Sequence, residues 1–134
     1  MDEVFNPKPR KPKKVRETGR GGVEQTNRKR VEAAGGRSLK WTSPGHSGVP
    51  DQIELYGVEP MVAWVQKHSW RLDGASPVDH IRQACVELLA TAIQLSEYKA
   101  PGKTPTTNQL REHARLREQG FTVNVIDQLW SNKQ

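Results

Sequence analysis

The sequence predicts one α/β domain in which helices pack on a single central sheet. Two observations predict it. Four segments carry apolar residues at helical spacing, and four shorter segments alternate apolar and polar residues with a period of two. Along the chain they form a helix, three strands, a helix and a strand, with a helical insert between the second and third strands. A chain of 134 residues has room for one compact domain of this kind.

The first helix and two strands are predicted in the N-terminal half of the domain. The spacing of Val23 and Val31 predicts a helix over 23–34. Strands follow at 38–43 and 51–56, separated by a loop rich in turn-forming residues. A period of two then places three residues on one face of the second strand, namely Asp51, Ile53 and Leu55.

A helical insert is predicted over 58–92. Its first part, 58–70, is a short helix, and its second helix begins with Ser76 as the N-cap and Pro77 at the first helical position. Cys85 lies on the apolar stripe of this second helix, and we interpret it as a small buried hydrophobic residue. The stripe also contains Val78, Ile81, Leu88 and Leu89.

The C-terminal part of the domain is predicted to supply two strands with a helix between them. The third strand covers 93–99 and the fourth covers 121–127. Between them, Thr104 is expected to cap a helix that has Pro105 at its first position and ends at Gly120.

The first 20 residues differ in composition from the rest. They contain seven lysines and arginines, three prolines and only two aliphatic side chains. A segment of this kind buries too little apolar surface to fold by itself. The predicted organisation is therefore a disordered basic arm over 1–20, a domain over 21–130 and a short tail over 131–134.

Net charge and cysteine content limit the class of partner and the compartment. The net charge is +6, with a pI of about 9.7. This balance favours polyanions, nucleic acid above all, although a basic surface can also serve solubility alone. A single cysteine excludes an internal disulfide, and no segment is apolar enough for a signal peptide or a membrane span. We therefore expect a soluble cytoplasmic protein with no membrane partner.

Two carboxylates and a lysine are predicted to converge at the ends of the second and third strands. Pro50-Asp51 opens the second strand, and Glu97-Tyr98-Lys99 closes the third. Residues two apart in a strand point to the same side, so Glu97 and Lys99 share one place. Each motif alone usually marks a turn or a solvated strand face. Their ordered combination on predicted strands of a basic protein favours a site.

Such a group of side chains suits the hydrolysis of a phosphodiester bond. Mg²⁺ needs few protein oxygen ligands and keeps several waters, so two carboxylates can hold it against a phosphate. The metal would polarise the phosphoryl oxygen and activate a water, and the lysine would add positive charge. Zinc is not expected, because no histidine is spaced from another histidine or from Cys85 as zinc ligands are.

An ordered set of segments carries a family resemblance across 23–56 and 93–127. It consists of KWTSPGHSGVPD at 40–51, EYKAPGK at 97–103, QLR at 109–111, GFTV at 120–123 and Ile126-Asp127, preceded by a helix with a glutamate. The set resembles the virus-type replication-repair nuclease domain, a branch of the PD-(D/E)xK nucleases. The resemblance implies a restriction-endonuclease-like core and a DNA endonuclease that uses Mg²⁺ or Mn²⁺. The sequence departs from the family at the insert, where minimal members have a short hairpin.

The resemblance also implies roles for individual residues. Asp51 and Glu97 would bind the metal, together with the backbone carbonyl of Tyr98 and, directly or through water, Glu24. Lys99 would orient or activate the attacking water. One further side chain, that of Gln109, would support the site.

Four side chains near these residues are candidates for contacts with DNA: Lys40, His46, Lys103 and Arg111. For His46, a solvated position in its loop is the alternative. A further histidine, His113, follows Gln109 by one helical turn. It either faces the site or lies on the outer face of the helix.

The stand-alone phage members that this sequence resembles are homodimers that cut branched DNA, including four-way junctions. The resemblance therefore implies a homodimer that acts on DNA, not on a small molecule, in the host cytoplasm during phage replication, recombination or repair. The alternative is a non-catalytic DNA-binding protein with a nuclease-like fold, which has no need of both carboxylates and the lysine. The insert could cover one end of the sheet, extend a dimer interface or hold a DNA arm.

Overall fold

A computed structural model describes residues 14–131 of the chain. Over this range it contains four strands, four α-helices and one short 3₁₀ helix. In chain order they are α1 Val23–Ala33, β1 Arg37–Lys40, β2 Gln52–Leu55, α2 Glu59–His68, the 3₁₀ helix Ser69–Leu72, α3 Val78–Ala92, β3 Ile93–Tyr98, α4 Thr107–Glu118 and β4 Val123–Ile126. The predicted α/β class and order of elements are confirmed, and the arrangement is compatible with a restriction-endonuclease-like core.

The four strands form one sheet in the order β1-β2-β3-β4. The first three make an antiparallel meander, in which Ile53 pairs with Leu95, while β4 runs parallel to β3. A parallel neighbour requires a crossover, and α4 supplies it. The meander brings the start of β2 beside the end of β3, so that Gln52 pairs with Ser96.

The apolar core lies on one side of the sheet, between the strands and α4. Leu95, Leu116 and Val123 form its buried centre, and three half-buried side chains pack against them: Trp41, Ile53 and Phe121. Alternation along β3 places Leu95 and Glu97 on this side. The Glu97 side chain therefore lies on the same side of the sheet as the apolar core.

The opposite side of the sheet carries a buried polar network that holds α1. Glu54 is fully buried and accepts hydrogen bonds from the Arg30 guanidinium at 3.0 Å, the Tyr98 hydroxyl at 3.2 Å and the Ser96 hydroxyl. Burial raises the pKa of the Tyr98 phenol, and the Glu54 carboxylate raises it further. A paired buried carboxylate of this kind fixes the position of α1 against the sheet.

Two helix starts differ from the sequence prediction. The N-cap of α4 is Thr106, not Thr104, because Thr106 forms a capping box with Gln109. The Gln109 amide donates to the Thr106 hydroxyl at 3.2 Å, and the Gln109 side-chain oxygen accepts from the Thr106 amide at 2.9 Å. The N-cap of α3 is Pro77, not Ser76, because the ψ of Pro77 is extended at 141° and the helix begins at the next residue.

A turn before α1 corrects the predicted boundary of the basic arm. The Val23 and Glu24 amides, at the start of α1, donate to the carbonyls of Arg16 and Glu17 at 2.8 and 2.9 Å. The disordered arm is predicted to reach residue 20, whereas the carbonyls of Arg16 and Glu17 are hydrogen-bonded to the first amides of α1. The prediction for 1–13 lies outside the described residues, as does most of the predicted tail, 132–134.

The predicted insert is present as α2, the 3₁₀ helix and α3, which pack on one another. Arg71 forms a bidentate ion pair with Glu87 of α3, at 2.7 and 2.5 Å. The Arg71 guanidinium also lies over the Trp64 ring. Cys85 is exposed, so its predicted burial is wrong. Within α3, Ala84 is the one buried residue. None of the helices within 14–131 is long and apolar enough to cross a membrane.

Candidate active site

Three carboxylates meet where the ends of β2 and β3 approach the turn before α1. One oxygen from each of Glu17, Asp51 and Glu97 lies within 4.8 Å of the others. Asp51 directly precedes β2, Glu97 is the fifth residue of β3, and Glu17 belongs to the turn. We refer to these three side chains as the carboxylate cluster.

Asp51 is held from both neighbouring strands. The Tyr98 amide donates a hydrogen bond of 2.8 Å to Asp51 Oδ2, and the Trp41 amide donates one of 2.9 Å to the Asp51 carbonyl. The preceding Pro50 is fully buried. The meander therefore fixes both the backbone and the side chain of Asp51, which is what a preorganised ligand requires.

Glu97 is fully buried, and only one of its oxygens has a hydrogen-bond partner in the described chain. His113 Nε2 lies 3.4 Å from Glu97 Oε1, whereas Oε2 is unsatisfied. Burial, with the adjacent Asp51 carboxylate, raises the pKa of Glu97 to about 9. An unsatisfied buried carboxylate oxygen is costly unless a cation or hydrogen bond compensates it. The surroundings of Glu97 therefore suit a bound cation.

Glu17 adds a third, half-buried carboxylate to this side of the cluster. Burial raises the pKa of Glu17, and the charges of Asp51 and Glu24 raise it further, while Lys99 lowers it. Oxygen-only donors of this type are what Mg²⁺ and Mn²⁺ prefer. The donor set therefore fits a hard divalent cation.

Lys99 lies close enough to the cluster for its charge to act on three neighbours. Its positive charge lowers the pKa of Glu17, of Glu97 and of His113. The structure thus brings Asp51 and Glu97 together, and the charge of Lys99, two residues after Glu97, acts on the same group. The three carboxyl groups of the cluster outnumber this one lysine, which favours binding of a divalent cation.

Comparison with known proteins finds a relative of this chain. The chain is 34% identical over 97 residues to a protein named "Putative nuclease p44" of Acyrthosiphon pisum secondary endosymbiont phage 1. The match covers 72% of this chain and 70% of the phage protein. The chain belongs to this nuclease family. No protein-family profile matches the chain.

Glu24, the glutamate of α1 proposed from the sequence, lies outside the carboxylate cluster. Its Oε1 accepts a hydrogen bond from the Gln52 side chain and lies 3.8 Å from the Arg28 guanidinium. Glu17 occupies the third place instead, and the sequence analysis missed it. The available signal was weak: Glu17 is the only acidic residue between Val4 and Val23, just before a glycine-rich turn.

The first turn of α4, which contains Gln109, contacts the loop before β2. The Gln109 side chain is used in the capping box and so supports the helix start. His46, in the loop, pairs with Glu112 of α4 at 3.1 Å. Gly48 has a φ of +90°, and a Cβ there would lie 2.6 Å from the Asn108 carbonyl oxygen. The loop that leads into Asp51 is therefore closely packed on α4.

The other predicted DNA contacts lie on the surface. Lys40, Lys103 and Arg111 are exposed, and none forms an ion pair within 14–131. Arg111 and His46 line a cavity of about 240 Å³ between the loop and α4. These side chains are accessible to a polyanion, and their role as DNA contacts stays a prediction.

Proposed function

We propose that this protein is a metal-dependent DNA endonuclease of the virus-type replication-repair branch of the PD-(D/E)xK nucleases, acting on branched DNA. The observation that carries the proposal is the carboxylate cluster, in which the buried Oε2 of Glu97 has no partner in the described chain. The relationship to a phage protein named as a nuclease supports it.

The metal would be Mg²⁺ or Mn²⁺, held by Glu17, Asp51 and Glu97, with the backbone carbonyl of Tyr98 as a further ligand. A bound divalent cation supplies Lewis-acid polarisation of the phosphate and a more acidic water. The donor set and the unsatisfied oxygen fit such an ion. Glu24, with its side chain on Gln52, would act at most through water.

The side chains of the site would divide the remaining work. Lys99 would orient the attacking water and offset the negative charge that develops on the phosphate. Tyr98 and His113 would keep Asp51 and Glu97 in place through the two hydrogen bonds already described. On the surface, four basic side chains would contact phosphates and orient the DNA: Lys40, His46, Lys103 and Arg111.

The preference for branched DNA is supported by the resemblance of the ordered motifs to stand-alone phage nucleases. A symmetric homodimer would present two sites related by a two-fold axis, which matches the symmetry of a four-way junction. The setting would be the host cytoplasm during phage replication, recombination or repair.

A cleavage assay tests the proposal. Purified protein is incubated with a labelled four-way junction or a linear duplex, each with Mg²⁺, Mn²⁺ or EDTA. We expect product only with metal, more from the junction, and none from Asp51→Ala or Lys99→Ala. Binding of the junction without cleavage under every condition would contradict the proposal and indicate a non-catalytic DNA-binding protein.

A further inference from the structure

We propose that the turn before α1 forms one wall of a cleft that binds the phosphate backbone of DNA beside the carboxylate cluster. The cleft has a volume of about 920 Å³, and within the described chain it is lined by residues 14–17, 20 and 21 together with Ala100. The inference rests on the proposed function, because DNA is the ligand.

The cleft adjoins the carboxylate cluster. Glu17 lines the cleft and is also a member of the cluster. Ala100, which also lines the cleft, directly follows Lys99. A strand lying in the cleft would therefore pass next to the groups proposed to hold the metal and orient the water.

Three of the side chains that line the cleft are cations. Lys14, Arg16 and Arg20 line it, and all three are exposed. Over residues 14–131, none of the three takes part in an ion pair, whereas Arg28 and Arg30 of the adjacent helix both pair with glutamates. Cations that are exposed and unpaired within the described part of the chain are available to phosphate oxygens.

The backbone of the turn before α1 is held by hydrogen bonds, whereas the exposed cationic side chains of the cleft are not, within the residues that the structure describes. The carbonyls of Arg16 and Glu17 accept hydrogen bonds from the first amides of α1. A Cβ at Gly22 would lie 2.8 Å from the Thr18 carbonyl oxygen, so the chain can close this tightly only with glycine there. The turn therefore presents its cations from a rigid support, which lowers the entropy cost of binding.

The lining also indicates what the cleft would recognise. The side chains that line it are cationic, acidic or aliphatic, and no aromatic residue of the described chain is among them. Stacking on bases needs aromatic side chains, whereas lysine and arginine bind phosphates of any sequence. The cleft should therefore contribute salt-sensitive, sequence-independent affinity.

Binding without cleavage tests the inference. The affinity for a labelled junction is measured by fluorescence anisotropy in EDTA at several salt concentrations between about 50 and 200 mM. We compare Arg16→Gln/Arg20→Gln with Arg37→Gln/Lys67→Gln, which removes the same charge from exposed positions outside the cleft. A third variant, Arg16→Lys/Arg20→Lys, keeps the charge. Thermal melting checks that each variant is folded.

We expect the Arg16→Gln/Arg20→Gln variant to bind about tenfold more weakly, with a salt slope smaller by about 2. The control pair and the lysine variant should keep the wild-type slope. Equal slopes in the two glutamine variants would overturn the inference, as would failure of the wild type to bind. The binding assay contains no metal and does not depend on cleavage. If the junction is not cut in the cleavage assay with metal, the proposed function is refuted, but the binding result for the cleft still stands.

Discussion

The Tyr98 amide donates a hydrogen bond of 2.8 Å to the Asp51 carboxylate, across the pair of strands β2 and β3. Tyr98 lies between Glu97 and Lys99, so this one bond sets the position of Asp51 relative to both. It uses a backbone donor and therefore does not depend on the tyrosine side chain, which points to the opposite side of the sheet and bonds Glu54.

Replacing Asp51 by asparagine should separate its charge from its structural bond. An amide oxygen can still accept from the Tyr98 amide, so the melting temperature should change little. Loss of a charged ligand should lower metal-dependent cleavage by about 100-fold or more. Asp127→Asn is the matched control, because Asp127 also accepts a backbone hydrogen bond, from the Gly102 amide at 3.2 Å, but lies outside the cluster. Equal losses in the two variants would contradict the assignment.

Glu17 and Glu24 compete for the third carboxylate position, and metal titration should distinguish them. Glu17→Gln should weaken Mn²⁺ binding by about tenfold, because Glu17 is within the cluster. Glu24→Gln should have a smaller effect, since that side chain is engaged with Gln52. Isothermal titration calorimetry provides the comparison. The reverse order of effects would return the role to Glu24.

His113 should act as a positioning residue for Glu97. Removing its ring in His113→Ala leaves Glu97 Oε1 without its partner and should weaken Mn²⁺ binding by about tenfold. His113→Gln, whose amide can donate to the same oxygen, should restore most of the affinity. Melting temperatures are recorded in parallel. A lower melting temperature in His113→Ala with unchanged metal affinity would mean that the ring serves only packing.

The metal-free protein should lose stability as the pH rises. The pKa of Glu97 is about 9 in the folded chain, against an ordinary value of 4.5. Between these values the folded state holds a proton that the unfolded state has lost, so the free energy of unfolding falls with pH. The slope due to one such group is at most about 1.4 kcal/mol per pH unit.

Urea denaturation in EDTA from about pH 6 to about pH 9 checks this expectation against Glu97→Gln. The glutamine variant cannot titrate at this position, so its stability should fall less steeply with pH than that of the wild type. Parallel curves would show that residue 97 does not carry the raised pKa.

Two glycines in the loop before Asp51 provide a matched pair for a stability test. Both have positive φ, +78° at Gly45 and +90° at Gly48, but only at Gly48 does an added Cβ meet a neighbour, the Asn108 carbonyl. Gly45→Ala should cost about 1 kcal/mol from backbone strain, and Gly48→Ala roughly 3 kcal/mol. Equal melting temperatures of the two variants would mean that the loop does not pack on α4 as described.

The strand motifs could be read from the sequence because their geometry is local. A period of two fixes Glu97 and Lys99 on one side of a strand. Asp51 is 47 residues from Tyr98 in the sequence, so its place beside them follows from the ordered combination of the two motifs and from the family resemblance. The order of helices and strands follows equally from periodicity. Strand periodicity and element order need no knowledge of distant contacts, whereas the pairing of β2 with β3 across the insert does.

The remaining features depend on contacts that the pattern does not encode. Glu17 reaches the cluster through backbone hydrogen bonds to α1, in a segment whose composition is typical of disorder. Burial of Glu54 depends on Arg30, which is distant in sequence. The start of α4 is encoded locally, because Thr106 and Gln109 have the capping-box spacing, but the upstream Thr104-Pro105 pair offers a competing helix start.

The most direct test of the central claim is the position of a bound metal. Crystals grown with Mn²⁺ are measured at a wavelength where manganese scatters anomalously. We predict one strong peak at about 2.0 to 2.3 Å from carboxylate oxygens of Asp51 and Glu97, with Glu17 as the third acidic neighbour. A peak elsewhere, or none at saturating Mn²⁺, would contradict the account.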